Sequence, residues 1–179
     1  IAATTEDYLS ALASRGSRVA NGMVKGLVAY GRARYGEGSY REAVRIYGLC
    51  LVIDPTLAKA AVMHASAMEL SHPRANFLTL ARRAAILAPL GPDAWKLAMR
   101  GSYAKGYLGA AAAQAKRLII LQPNSSSGWL IFARTRFQGG QPDQALGYLL
   151  LSKILAPKQL DIRVALAKCL FRLGTFYTT

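Results

Sequence analysis

The chain has 179 residues, 53% of them apolar, and carries 23 Lys and Arg against 9 Asp and Glu, a net charge of +14. That length builds one domain with a sizeable core or a short array of repeats, and no apolar run approaches the roughly 20 residues of a helical membrane span. The charge implies an acidic protein segment, an anionic surface or nucleic acid as partner, without bearing on the fold.

The basic residues are dispersed, with no block of like charge that would mark a disordered arm. Cys50 and Cys169 are the only cysteines, which excludes a disulfide framework and a Cys-based zinc site. Each sits in an apolar helical context and is read as a small buried hydrophobe. The chain begins at Ile1 without a basic-then-apolar leader, so a targeting segment is expected to be absent or already removed. The expected state is a soluble, cytoplasmic protein, and the pattern that breaks off at Thr179 suggests a piece of a longer chain.

In chain order, residues 1–23 hold one helix near 6–13 and a Gly/Ser/Arg-rich break, which reads as a cap. Helices are then expected at 24–36, 40–53, 58–70, 74–87, 92–104, 107–121, 126–138, 142–155 and 160–173. The breakpoints are regular. Pro55, Pro89, Pro123 and Pro157 follow one another at intervals of 34 residues, each after an apolar stretch (LVID, AILA, IILQ, KILA). Proline cannot continue a helix and disfavours helix in the residue before it, so each marks a stop.

With Val24 as column 1 and Pro55 as column 32, column 15 holds Gly38, His72, Gly106, Gly140 and Gly174. Column 20 holds Ala43, Phe77, Ala111 and Ala145, and column 4 holds Leu27, Ala61, Trp95, Trp129 and Arg163. Glycine at column 15 permits the positive φ needed to leave a first helix and turn. A small residue at column 20 lets a second helix approach closely, and a large one at column 4 fills the gap. Each unit is therefore a pair of antiparallel helices that buries its apolar face only against its neighbours.

This pattern resembles the tetratricopeptide repeat, most plainly in Tyr35-x-x-Gly38-x-Tyr40-x-x-Ala43-x-x-x-Tyr47 followed by Asp54-Pro55. The resemblance implies an all-α, right-handed superhelical solenoid. Its repeats fall at 24–57, 58–91, 92–125 and 126–159, with 160–179 a partial fifth repeat or capping helix. The second repeat departs most, with His72 and Phe77 where Gly and Ala are expected.

In such arrays the first helix of each repeat lines the concave side. Column 9 reads Arg32, Ser66, Arg100, Arg134 and Lys168, and column 12 reads Tyr35, Glu69, Tyr103, Phe137 and Phe171. With Lys25, Lys59 and Lys96 these make a basic, aromatic-lined groove suited to an acidic segment, because arginine pairs with carboxylates and rings supply apolar area. The carboxylate clamp of chaperone-binding relatives is missing, since its positions hold Val28, Arg32, Met63, Asp93 and Leu97. On the second helices, the candidates are the basic pairs Arg82-Arg83 and Lys116-Arg117, with Leu150, Leu151 and Ile154 as apolar ones; column 29 repeats Val52, Ile86, Ile120 and Ile154. Those apolar side chains form an interface patch if they are exposed.

Catalytic patterns are poor. His64 and His72 stand in no HExxH or similar arrangement, and no GxSxG, Walker A or GxGxxG sequence occurs. No cofactor, metal or catalytic residue is expected. The leading reading is a non-enzymatic scaffold or adaptor that binds a protein segment within a larger assembly, with self-association possible. The competing readings are a nucleic-acid-binding helical array, the targeting module of a larger glycosyltransferase or sulfotransferase, and a secretion-type chaperone. Against nucleic acid, the basic residues fall on both helix layers and no base-reading code is evident.

Overall fold

The computed structural model describes residues 5–72 and 77–177, with side chains described at 21–72 and 77–174. All regular structure among them is helical: α1 (Thr5–Gly36), α2 (Tyr40–Ile53), α3 (Ala58–Ser71), α4 (Leu78–Leu87), α5 (Pro92–Ala104), α6 (Leu108–Leu121), α7 (Ser126–Gln138), α8 (Pro142–Leu155) and α9 (Leu160–Tyr177). Two compact units result, one holding α1–α3 and the other α4–α9, with the division between Ala75 and Asn76. The division falls inside the second repeat, so its two helices belong to different units.

Three members of the glycine column turn the chain as expected, whereas Gly174 lies inside α9 and does not. Gly38, Gly106 and Gly140 have φ of 79°, 75° and 77°. Each closes the same double hydrogen bond. Gly38 N–H donates to Tyr35 O at 3.1 Å and Ser39 N–H to Arg34 O at 2.9 Å, and the pairs recur at Gly106–Tyr107 and Gly140–Gln141. This is a Schellman end, which satisfies carbonyls that the helix leaves open. His72, in the same column, ends α3 at φ −138° without that motif.

The proline column works through the residue before it. Asp54, Ala88, Gln122 and Ala156 leave the helical region with ψ of 94°, 65°, 82° and 73°, because the following ring crowds the α conformation. The tryptophans then tie the ladder together. Trp95 donates its indole N–H to the Pro89 carbonyl at 2.9 Å, and Trp129 does the same to Pro123 at 2.8 Å.

Each core is shared by three helices. In the first unit Ala43, Tyr47 and Cys50 of α2 pack with Ala60 and Ala67 of α3, against Leu27, Val28 and Tyr35 of α1. In the second, Met99, Ala111, Ala115, Leu118, Ile131 and Phe132 join α5, α6 and α7, and Leu130, Ala133, Ala145, Leu149, Ile162 and Cys169 join α7, α8 and α9. The column-20 alanines Ala43, Ala111 and Ala145 are wholly buried. Phe77, which replaces alanine there, is accommodated by a glycine opposite: a Cβ at Gly101 of α5 would lie 3.3 Å from Phe77 Cε2 and 3.2 Å from Leu78 Cδ1.

Three expectations about helix extents are corrected. The break foreseen before residue 24 is absent, and α1 runs unbroken from Thr5 through its glycines. Extending a helix already nucleated and packed costs far less than starting one, so the Gly/Ser stretch does not interrupt it. At α4, residues 74–76 of the expected helix lie outside the described residues, and Phe77 is a turn residue. The segment α9 continues to Tyr177, past the expected end at 173.

Candidate functional site

The first helices of the second unit, α5, α7 and α9, pack side by side as well as against their hairpin partners. Column 9 therefore brings Arg100 and Arg134 into one hollow of about 580 Å³, together with Lys96. Its apolar floor is Met99, Leu130 and Ile131, and its polar rim includes Asn124 and Ser125–Ser127. Ser125 caps α7, its Oγ accepting from Gly128 N–H at 3.4 Å.

Arg134 is the hinge of the site. It lines this hollow and a second one of about 320 Å³, whose walls are Tyr103, Phe137, Val164, Ala165 and Lys168. Its guanidinium is held by α9: Nη2 donates to the Asp161 carbonyl at 3.2 Å and lies 3.9 Å from the Asp161 carboxylate. Six of the expected groove residues (Lys96, Arg100, Tyr103, Arg134, Phe137 and Lys168) thus line two adjoining hollows. The remaining expected groove residue of this unit, Phe171 on α9, is 76% exposed and lines neither.

In the first unit, Lys25, Arg32 and Lys59 line a separate hollow of about 580 Å³ whose remaining walls are Val24, Val28, Ala29, Ala33 and Leu57. No acidic side chain lines it. Tyr35 is not there. Its ring meets Tyr40 edge-on at 5.3 Å and its hydroxyl hydrogen-bonds Ser66 Oγ at 2.8 Å, so it packs α1 against its neighbours.

On the second helices, Arg82, Arg83 and Lys116 are exposed and Arg117 is half-buried, while Leu150, Leu151 and Ile154 stand out to solvent. The Arg82 guanidinium lies 5.9 Å from the Tyr107 ring centroid and the Lys116 ammonium 5.6 Å from that of Phe132. Both distances suit cation–π attraction.

The sequence reading missed Asp161, the one carboxylate among the cation-lined walls of the larger hollow, and the serine rim. Asp161 follows the helix-opening Leu160 and offered no signal beyond a favourable acidic first turn. Cys50 and Cys169 are buried, and burial raises both thiols above their ordinary range. His72 Nδ1 is 2.8 Å from Ser71 Oγ. Among the described residues no three His, Cys, Asp or Glu side chains gather as metal ligands, and no helix is long and apolar enough to cross a membrane.

No protein-family model and no curated protein matches the chain. Solved structures do. The protein named MamA superposes with a TM-score of 0.75 at 13% identity, over 84% of this chain and 82% of that one. YrrB, a tetratricopeptide-repeat protein with an unusual peptide-binding site, gives 0.72 at 13% identity, over 83% and 76%. A thermophilic tetratricopeptide-repeat protein of Thermus thermophilus gives 0.61 at 18% identity, over 83% and 81%. The chain has the all-α tetratricopeptide-repeat fold.

Proposed function

We propose that the protein is a non-catalytic interaction scaffold whose first-helix layer binds an acidic, extended segment of a partner protein. The observation that carries this reading is the convergence of Lys96, Arg100 and Arg134 on one hollow that continues, past Arg134, into one walled by Tyr103 and Phe137. Guanidinium groups pair bidentately with carboxylates, and half-buried rings supply apolar area at little entropic cost. The α7 N-terminus at the rim adds backbone N–H groups that favour an anion. The peptide-binding site that names YrrB supports a peptide as the class of ligand for such an array.

A competing reading follows from the +14 charge, which would draw nucleic acid without sequence preference. Fluorescence anisotropy with a labelled Glu-rich peptide and with a labelled single-stranded RNA separates the two. We expect saturable peptide binding that Arg100→Glu/Arg134→Glu weakens at least about tenfold, as loss of a charge pair at a desolvated contact does. Unchanged peptide affinity in that variant, or tighter binding of RNA than of peptide at physiological salt, overturns the reading.

A further inference from the structure

The second-helix layer of the same unit carries a surface that the hollows do not use. Ile86, Ile120 and Ile154 hold the same repeat position on α4, α6 and α8, and they are 78%, 69% and 75% exposed. Leu150 and Leu151 widen the row on α8. Large apolar side chains repeated at one register and left in water mark an interaction surface.

The charges on the same helices are predominantly positive. The sequences of α4, α6 and α8 contain Arg82, Arg83, Lys116, Arg117 and Lys153, against a single acid, Asp143 in the first turn of α8. We propose that this layer is a docking surface for an anionic lipid bilayer, the isoleucines entering the interfacial region and the cations resting among headgroup phosphates. Shallow insertion of apolar tips combined with lysine and arginine at headgroup depth is how peripheral surfaces hold an acidic leaflet.

Two other occupants fit less well. A helical or extended protein segment seats its anchors in a groove, whereas none of the hollows described above is lined by Ile86, Ile120 or Ile154. A second copy meeting face to face would set the same cations against themselves, because a two-fold contact pairs each patch with its own image. A bilayer requires no groove and supplies the missing negative charge.

The test is flotation of the full chain with vesicles of phosphatidylcholine alone and of phosphatidylcholine mixed with phosphatidylglycerol. We expect retention on the acidic vesicles only, and its loss at about 0.5 M NaCl, where screening shortens electrostatic reach to a few ångströms. Ile86→Ser/Ile120→Ser/Ile154→Ser should reduce retention at least about tenfold with helical circular dichroism and Glu-rich peptide affinity unchanged. Arg82→Glu/Lys116→Glu, which leaves the isoleucines in place, should reduce it as well. No flotation with acidic vesicles, equal flotation with neutral ones, or wild-type flotation by the isoleucine variant overturns the proposal. So does loss of flotation in Arg100→Glu/Arg134→Glu alone, which would move lipid binding to the hollows. Capture of an acidic amphipathic peptide through the isoleucines, without vesicle binding, would assign the surface to a protein instead.

Discussion

Gly31 of α1 stands against the ring of Tyr47 of α2, so closely that a Cβ on Gly31 would lie 3.0 Å from both Cε1 and Cζ. The ring is wholly buried and Ile46 Cγ2 would lie 3.1 Å from the same added carbon, so a side chain on Gly31 would require two packed neighbours to shift. This approach sets the spacing between the first two helices.

Gly31→Ala therefore pits a gain in helix propensity of about 1 kcal/mol against overpacking that costs about 1–3 kcal/mol. We expect a net loss of about 1 kcal/mol in urea unfolding. Gly26→Ala, on the same helix but with nothing within 4 Å of the added carbon, should gain about 0.5–1 kcal/mol. Equal effects of the two substitutions would refute the close approach.

The Tyr47 hydroxyl is buried with no hydrogen-bond partner among the described residues. Burial also holds its phenol above the ordinary range, so it stays neutral. An unpaired buried hydroxyl costs about 1–3 kcal/mol that an apolar group of the same shape does not incur. Tyr47→Phe is expected to leave stability unchanged or raise it, up to about 2 kcal/mol. A loss above about 1 kcal/mol in chemical denaturation would mean that the hydroxyl has a partner after all.

Asp161 places a carboxylate among the cations of the proposed peptide site and holds Arg134 mainly through its backbone carbonyl, at 3.2 Å against 3.9 Å for the side chain. Asp161→Asn removes the like charge and keeps the carbonyl. Affinity for a Glu-rich peptide should rise several-fold, about 1 kcal/mol, with the gain shrinking as salt increases. Titration by anisotropy at two ionic strengths reads both effects, and a weaker complex would contradict the assigned site.

Asp54 organises the turn between α2 and α3. Its Oδ1 accepts from Thr56 Oγ1–H at 2.6 Å and from Thr56 N–H at 2.9 Å. Those bonds, the hydroxyl first, hold its carboxyl below the ordinary carboxylate range. A depressed folded value means the stabilisation is complete above the unfolded carboxylate pKa, about 4, and is lost as pH falls through the folded value. Thermal unfolding between pH 5 and pH 2.5 should show a smaller fall in Tm for Asp54→Asn than for the unmodified protein. Parallel curves would remove the turn carboxylate from the acid response.

Much of this was legible in the chain because helix ends are local events. A proline removes the helical option from the residue before it, and glycine alone adopts φ near 77° without strain, as at Gly140. The spacing of Pro55, Pro89, Pro123 and Pro157 thus determined where helices stop, and Gly38, Gly106 and Gly140 where they turn. Repetition then determined that Arg100 and Arg134 would recur on equivalent helices.

Tertiary packing decided the rest. Whether Ile120 is core or surface depends on which neighbours cover its helix, and the periodicity of one helix does not specify them. Phe77 fits because Gly101, on another helix, withholds a side chain. Tyr35 was drawn away from the groove by Ser66 and Tyr40, and Asp161 entered it because α9 packs beside α7. Chain-local geometry is written in single residues and their spacing; which side chains meet is a property of three helices at once, and only their packing supplies it.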